Sequence, residues 1–279
     1  MINLKEQSHK MAKVYQRNEK IAGVLLAGSV SRGWEDSHSD IELHILWNEA
    51  PNDEDRLKPI KEVKGEVIDF FPFEDEEWSE TYLAAGIKFE ISNFLVKTVE
   101  DVIRQVVQEG NINYDLQCLA ASVHDGHVLY EKDDILLQLK ELVKEYPVLL
   151  AEYMILENLE LGSRWNNRRA LFDREDWLMY YDLLTAVQKK LLGVLFGLNS
   201  MYVHHPAFKW IENSIKEMKI APENLYARFS DILTGVPQHS LTALEELTEE
   251  VFALAERHHP YLPVKEKRQR AEFTRPHHQ

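Results

Sequence analysis

LLAGSVSRGWEDSHSDIEL, Leu25 to Leu43, joins two short apolar runs through Gly28, Ser29, Arg32 and a series of acids. The flanking runs read as strands, roughly Ala22 to Ala27 and Ile41 to Trp47. Asp40 and Glu42 stand two apart, so strand alternation puts both carboxylates on one face while Ile41, Leu43 and Ile45 point into the core. Two carboxylates so close repel, and a hard divalent cation resolves the repulsion. Mg²⁺ takes oxygen ligands, typically one or two carboxylates plus substrate phosphates. Gly28 lets the backbone approach a ligand, and the Ser29 hydroxyl with the N–H groups of the following turn can receive an anion. A metal beside a phosphate cradle describes phosphoryl or nucleotidyl transfer, where positioning and charge neutralisation carry most of the catalysis.

Outward from this stretch, residues 3–20 show the apolar spacing of a helix, with Leu4, Met11, Val14 and Tyr15. EVIDFFPF reads as a third strand, acidic EDEEWSE as a loop or helix start, and IKFEISNFLV as a fourth strand with Ile87, Phe89 and Ile91 on one face. Thr98 is the expected N-cap of a helix ending at Gly110, and HVLYE is a short fifth strand. From about Asp133 every strong pattern is helical, including one long stretch over YMILENLELGSRWNNRRALF. The expected fold class is α+β. A small mixed sheet with flanking helices over residues 1–145 precedes an all-helical bundle domain over 146–262, and 263–279 form a polar, loosely ordered tail.

The chain has 279 residues, 44% of them hydrophobic, enough for one large domain or two ordinary ones. A net charge of −15 disfavours nucleic acid and suits a cationic small molecule. No run is long enough to span a membrane and no signal-peptide core opens the chain, so a cytoplasmic protein is expected. The one cysteine, Cys118, allows no internal disulfide and reads as a core thiol on a helix.

Gly28-Ser29, three residues, Gly33, five residues, then Ser39-Asp40-Ile41-Glu42 resembles the signature of the nucleotidyltransferase (polymerase-β-like) superfamily. With Glu as its second acid, it is closest in motif to the kanamycin and other aminoglycoside nucleotidyltransferases. The resemblance implies the nucleotidyltransferase fold in the first domain, with Asp40 and Glu42 holding metal and Gly28 and Ser29 meeting phosphates; Arg32, inside the same loop, can contact a phosphate or equally cap or salt-bridge locally. It also implies a third carboxylate on a neighbouring strand. Asp69 in GEVIDFF is preferred because its strand follows directly and would pair beside that of Asp40; Glu90 in IKFEISNF competes. ENLELGSRW, Glu157 to Trp165, resembles a helix of the same enzymes, which puts Glu160 in the place of the general base and Arg164 near the triphosphate. The expected activity is Mg²⁺-dependent transfer of a nucleoside monophosphate from ATP or another nucleoside triphosphate to a hydroxyl of a small-molecule acceptor, such as an aminoglycoside-like antibiotic. Nucleic acid and membrane are not expected partners, and a homodimer is. The rival reading is a catalytically silent member of the fold that binds nucleotide or protein, antitoxin-like or regulatory.

Overall fold

The computed structural model describes residues 3–276. Helix α1 (Leu4–Tyr15) is capped by Asn3, whose side chain accepts from the Glu6 amide at 3.1 Å. Strand β1 (Ile21–Ala27) runs into the single turn of α2 (Gly28–Arg32), and β2 (Ile41–Trp47) follows an irregular loop. Helix α3 (Asp53–Glu62) opens with a complete capping box between Asn52 and Asp55. Strands β3 (Glu66–Phe70), β4 (Trp78–Ala84) and β5 (Ile87–Leu95) form an antiparallel meander. Helices α4 (Val96–Val107) and α5 (Tyr114–Asp125), strand β6 (His127–Glu131) and helix α6 (Ile135–Val143) complete the first half.

The six strands form one mixed sheet in the order β3-β4-β5-β2-β1-β6, with β2 and β5 the parallel pair. Register assigns its faces. Val24, Leu26, Leu43, Ile45, Trp47, Tyr82, Phe89 and Ile91 share one face and join Met11, Ala12 and Tyr15 of α1 and Ile60 of α3 in a buried core. The opposite face carries Glu42, His44, Lys88, Glu90 and Ser92, and α6 covers part of it where Leu136 lies against Gly23. A polar network is sealed into the core face. Buried Arg56 donates to Glu80 at 2.8 Å and to the Phe71 and Ser79 carbonyls at 2.9 Å, and Asn93 links Glu80 to the Trp47 indole. Burial outweighs the pull of Arg56 and lifts the Glu80 carboxyl to about 7.

Three sequence expectations are corrected here. Glu74–Glu77 of EDEEWSE form the expected loop, but Trp78, Ser79 and Glu80 already belong to β4, a strand absent from the sequence expectation, which Ala85 and Gly86, both at positive φ, join to β5 in a two-residue hairpin. Helix α4 begins at Val96 with Leu95 at the N-cap, so Thr98 lies inside it and caps nothing. The N-terminal helix stops at Tyr15, short of the expected 20.

Contacts divide the chain into two compact units, the first running to Gln108 and resuming from Asp115 to Glu145, the second taking Glu109–Tyr114 and the described residues from Tyr146 on. The second unit is helical: α7 (Val148–Asn158), the short α8 (Ser163–Asn166) and α9 (Arg168–Asp173), the long α10 (Trp177–Leu198), then α11 (Ile211–Glu217), α12 (Leu225–Thr234), α13 (Pro237–His258) and α14 (Val264–Glu272). The expected long helix across Glu157–Trp165 is broken, because Gly162 at φ 80° turns the chain between α7 and α8. The expected loose tail is instead α14. Its residues are anchored where the buried Trp165 indole donates to the Ala271 carbonyl at 2.9 Å and Arg168 donates to the Phe273 carbonyl at 3.0 Å. Residues 277–279 of that expected tail lie outside the described residues. Among the described residues, no helix is long and apolar enough to cross a membrane.

Candidate metal centre

Glu42 and Glu90 are direct cross-strand partners in the parallel β2–β5 pair, and Asp40 stands just ahead of β2. Strand spacing of about 4.8 Å puts such side chains in reach of each other. Asp40, Glu42 and Glu90 each offer one carboxylate oxygen, and these oxygens lie within 4.8 Å of one another. All three residues are half-buried. Like charges opposed across strands destabilise a sheet unless something neutralises them. Lys88, two residues before Glu90, supplies part of that: its Nζ is 3.1 Å from Asp40 Oδ2 and also pairs with Glu90.

The preceding turn fits around this cluster. Gly28 has φ 66°, a conformation L side chains seldom adopt, and a Cβ there would lie 2.6 Å from Glu42 Oε2 and closer still to Cδ and Oε1. Gly33 ends α2 in the left-handed region at φ 70°. The buried Ser29 donates to Ser39 at 3.4 Å, and Ser39 Oγ accepts from the Asp36 amide at 2.9 Å, which ties the two halves of the motif together. The His38 amide holds the Asp36 carboxyl below the usual carboxylate range.

Arg32 projects from the same turn, but its Nε donates to Asp125 at 2.8 Å, its guanidinium lies over Trp34, and its buried Nη2 has no hydrogen-bond partner. His44 lies on the carboxylate face against Phe94. Burial first, and then Arg32, press its pKa down to about 4, so the ring is neutral. Burial likewise lifts the Cys118 thiol on α5 to about 11, with Arg32 pulling the other way. A cleft of about 930 Å³ lies between the start of α1, the loop ahead of Asp40 and the start of β5; Lys5, Glu35, Asp36, Ser39 and Lys88 line it, and none of the three carboxylates does.

The expected place of Asp69 beside Asp40 is corrected. The β3 strand does not pair with β2; β4 and β5 lie between them. Register runs Asp69–Thr81–Glu90–Glu42, so Asp69 shares the row of Glu42 from three strands away, about 14 Å at the usual spacing. It is exposed on the sheet edge, and Glu90 stands where the third carboxylate was expected. In the helical unit, Glu160 and Arg164 do not share a continuous helix. Glu160 sits in the break after α7, paired to Lys267 at 3.1 Å and Arg270 at 3.5 Å, and Lys267 holds its pKa low. Arg164 on α8 pairs with Asp182 of α10. The sequence reading missed Lys88 altogether, along with the Asp125 grip on Arg32. Lys88 was legible in one respect, since IKFEIS places it on the face of Glu90.

Comparisons give three findings. A family model described as a domain of unknown function (DUF4037) matches residues 112–211, less than half of the chain. No curated protein matches the chain. Among solved structures, the chain is similar to a nucleotidyltransferase-like protein from Exiguobacterium sibiricum 255-15. The identity is 14%, the match covers 91% of this chain and 78% of that one, and the TM-score is 0.43.

Proposed function

We propose that this chain is a divalent-metal-dependent nucleotidyltransferase. The observation that carries the reading is the convergence of Asp40, Glu42 and Glu90 within 4.8 Å, packed against the turn at Gly28, where a Cβ would press on Glu42. Three hard oxygen donors of this kind fit Mg²⁺ or Mn²⁺ and fit softer metals poorly. Asp40, Glu42 and Glu90 would hold the ion. When bound, it supplies Lewis acidity and neutralises charge on a triphosphate.

This chain's own residues do the remainder. Gly28 lets Glu42 sit against the α2 turn, and Ser29 offers its hydroxyl to the β and γ phosphates once its bond to Ser39 yields. Arg32 has Nη2 to give while Asp125 keeps Nε, so it meets phosphate from a fixed position. In the reaction, an acceptor oxygen forms a bond to the α-phosphorus. The bond from that phosphorus to the β-bridging oxygen breaks, pyrophosphate leaves, and the hydroxyl proton passes to a carboxylate. The resemblance assigns that last role to Glu160, which would have to exchange Lys267 and Arg270 for the acceptor hydroxyl to take the proton. Arg164 joins the triphosphate only by giving up Asp182.

The cleft's size lies within the range of nucleotide and drug-sized pockets. Glu35 and Asp36 on its lining are matched by Lys5 and Lys88; the acceptor class of the proposal, an aminoglycoside-like antibiotic, rests on the motif resemblance and on the chain's net charge of −15. A homodimer belongs to the same proposal, and sedimentation equilibrium tests it. The function is tested by titrating ATP and GTP calorimetrically into wild type and Glu42→Gln, with Mg²⁺ and with EDTA. Binding that needs both Mg²⁺ and Glu42 supports the reading. Binding indifferent to both rejects it.

A further inference from the structure

Lys88 is a cation stationed among the very carboxylates proposed to hold a metal. Alternation on β5 puts it on the face of Glu90. Its ammonium spans the first and third acids of the cluster, 3.1 Å from Asp40 Oδ2 and paired with Glu90. It is no buried strut: the side chain is 43% exposed and lines the 930 Å³ cleft, so it has somewhere to go. Ammonium–carboxylate pairs this exposed are weak, and a divalent ion attracts the same oxygens more strongly than a single charge does. The ion can therefore take them, but only by displacing Lys88.

We infer that Lys88 is a built-in counter-cation that competes with the divalent ion for Asp40 and Glu90 and thereby lowers the metal affinity of the site. This rests on the proposed metal centre. Three carboxylates and one ammonium carry a net charge of −2; with the lysine withdrawn the ion meets −3, and it bonds the oxygens that the ammonium held. The displaced ammonium remains at the cleft, where the oxygens of a triphosphate are natural partners. Metal loading and nucleotide binding then favour each other, because the nucleotide holds Lys88 away from the carboxylates.

The test is Mn²⁺ titration, followed by electron paramagnetic resonance without nucleotide, on wild type, Lys88→Met and Lys88→Arg. A thermal melt of each checks folding. Lys88→Met should tighten Mn²⁺ binding on the order of tenfold, the scale of one charge removed at an exposed site. Lys88→Arg should stay near wild type. Glu42→Gln in each background should abolish the binding, which locates the ion at the cluster. If wild type binds Mn²⁺ and Lys88→Met binds it equally or more weakly, the inference fails and the metal centre stands. If the melt shifts while the affinity does not, Lys88 is only structural and the inference again fails. If no form binds Mn²⁺, the metal centre itself falls, and this inference with it.

Discussion

Replacing Gly28 with Ala separates a strain on the backbone from a loss at the site. The first effect is conformational. Gly28 holds φ 66°, and an L residue in that region costs about 1–2 kcal/mol. The second is steric. The new Cβ would stand 2.6 Å from Glu42 Oε2, whereas ordinary contact begins at 3.4 Å, so the carboxylate must retreat by at least 0.8 Å. Glu42 is flexible at its far end, so the retreat costs little stability. It does move one of three metal ligands, and disturbing the groups that orient a ligand typically weakens metal binding 10–100-fold. Gly28→Ala should therefore unfold in urea with about 1–2 kcal/mol less stability, while its Mn²⁺ affinity falls by at least about tenfold. The stability loss should be nearly the same in a Glu42→Ala background, where there is no carboxylate left to push. A Gly28→Ala protein that binds Mn²⁺ as wild type does would refute the reasoning, because the glycine would then not be what seats Glu42.

Glu90→Gln should weaken Mn²⁺ binding at least tenfold while Asp69→Asn leaves it unchanged, measured by the same titration; the reverse result would restore the edge strand to the site. Glu80 gives a pH signature. Its folded pKa, about 7, lies above the ordinary 4.5, so its contribution is fully present below pH 4.5 and is lost as pH rises towards 7. The urea stability of wild type relative to Glu80→Gln should fall by up to about 3 kcal/mol between pH 4.5 and 7.5. A flat difference would mean that Glu80 is ionised throughout. Trp165→Ala should destabilise the helical unit by about 3–5 kcal/mol in thermal or urea unfolding, since it empties a buried site and strips the Ala271 carbonyl of its donor. A loss under 1 kcal/mol would show that α14 is not anchored there.

The turn and strand around Gly28 and Asp40 were legible because their signals are local. Glycine at a tight approach, Ser-Asp at a strand start and period-2 alternation all act within a few residues. The core face was legible for the same reason: Ile41, Leu43, Ile45, Phe89 and Ile91 alternate as the sheet requires. The third carboxylate was not, because strand neighbours are set by long-range pairing. Missing β4 made the Asp69 strand look like the natural neighbour of β2. WSETYLA was hidden by the acids ahead of it and by Ala85-Gly86, a weaker hairpin signal than Asn-Gly, although both residues take the required positive φ. With β4 read as a strand, β3-β4-β5 becomes a meander and Glu90 becomes an equal candidate. The helical half failed at a glycine. Its apolar spacing runs through Glu157–Trp165, but Gly162 at φ 80° breaks the helix there, and Glu160 finds its partners more than a hundred residues on, in Lys267 and Arg270. Those cations sit in a segment too polar to announce a packed helix, and α14 is held by carbonyl contacts from Trp165 and Arg168 that no periodicity reveals.

The most direct test of the account is a crystal grown with Mn²⁺ and examined by anomalous scattering at the manganese edge. The account expects an anomalous peak within bonding distance of carboxylate oxygens from Asp40, Glu42 and Glu90 together, with Lys88 turned away. Well-ordered carboxylates with no peak at saturating Mn²⁺, or a peak held by Asp69 instead of Glu90, would contradict it.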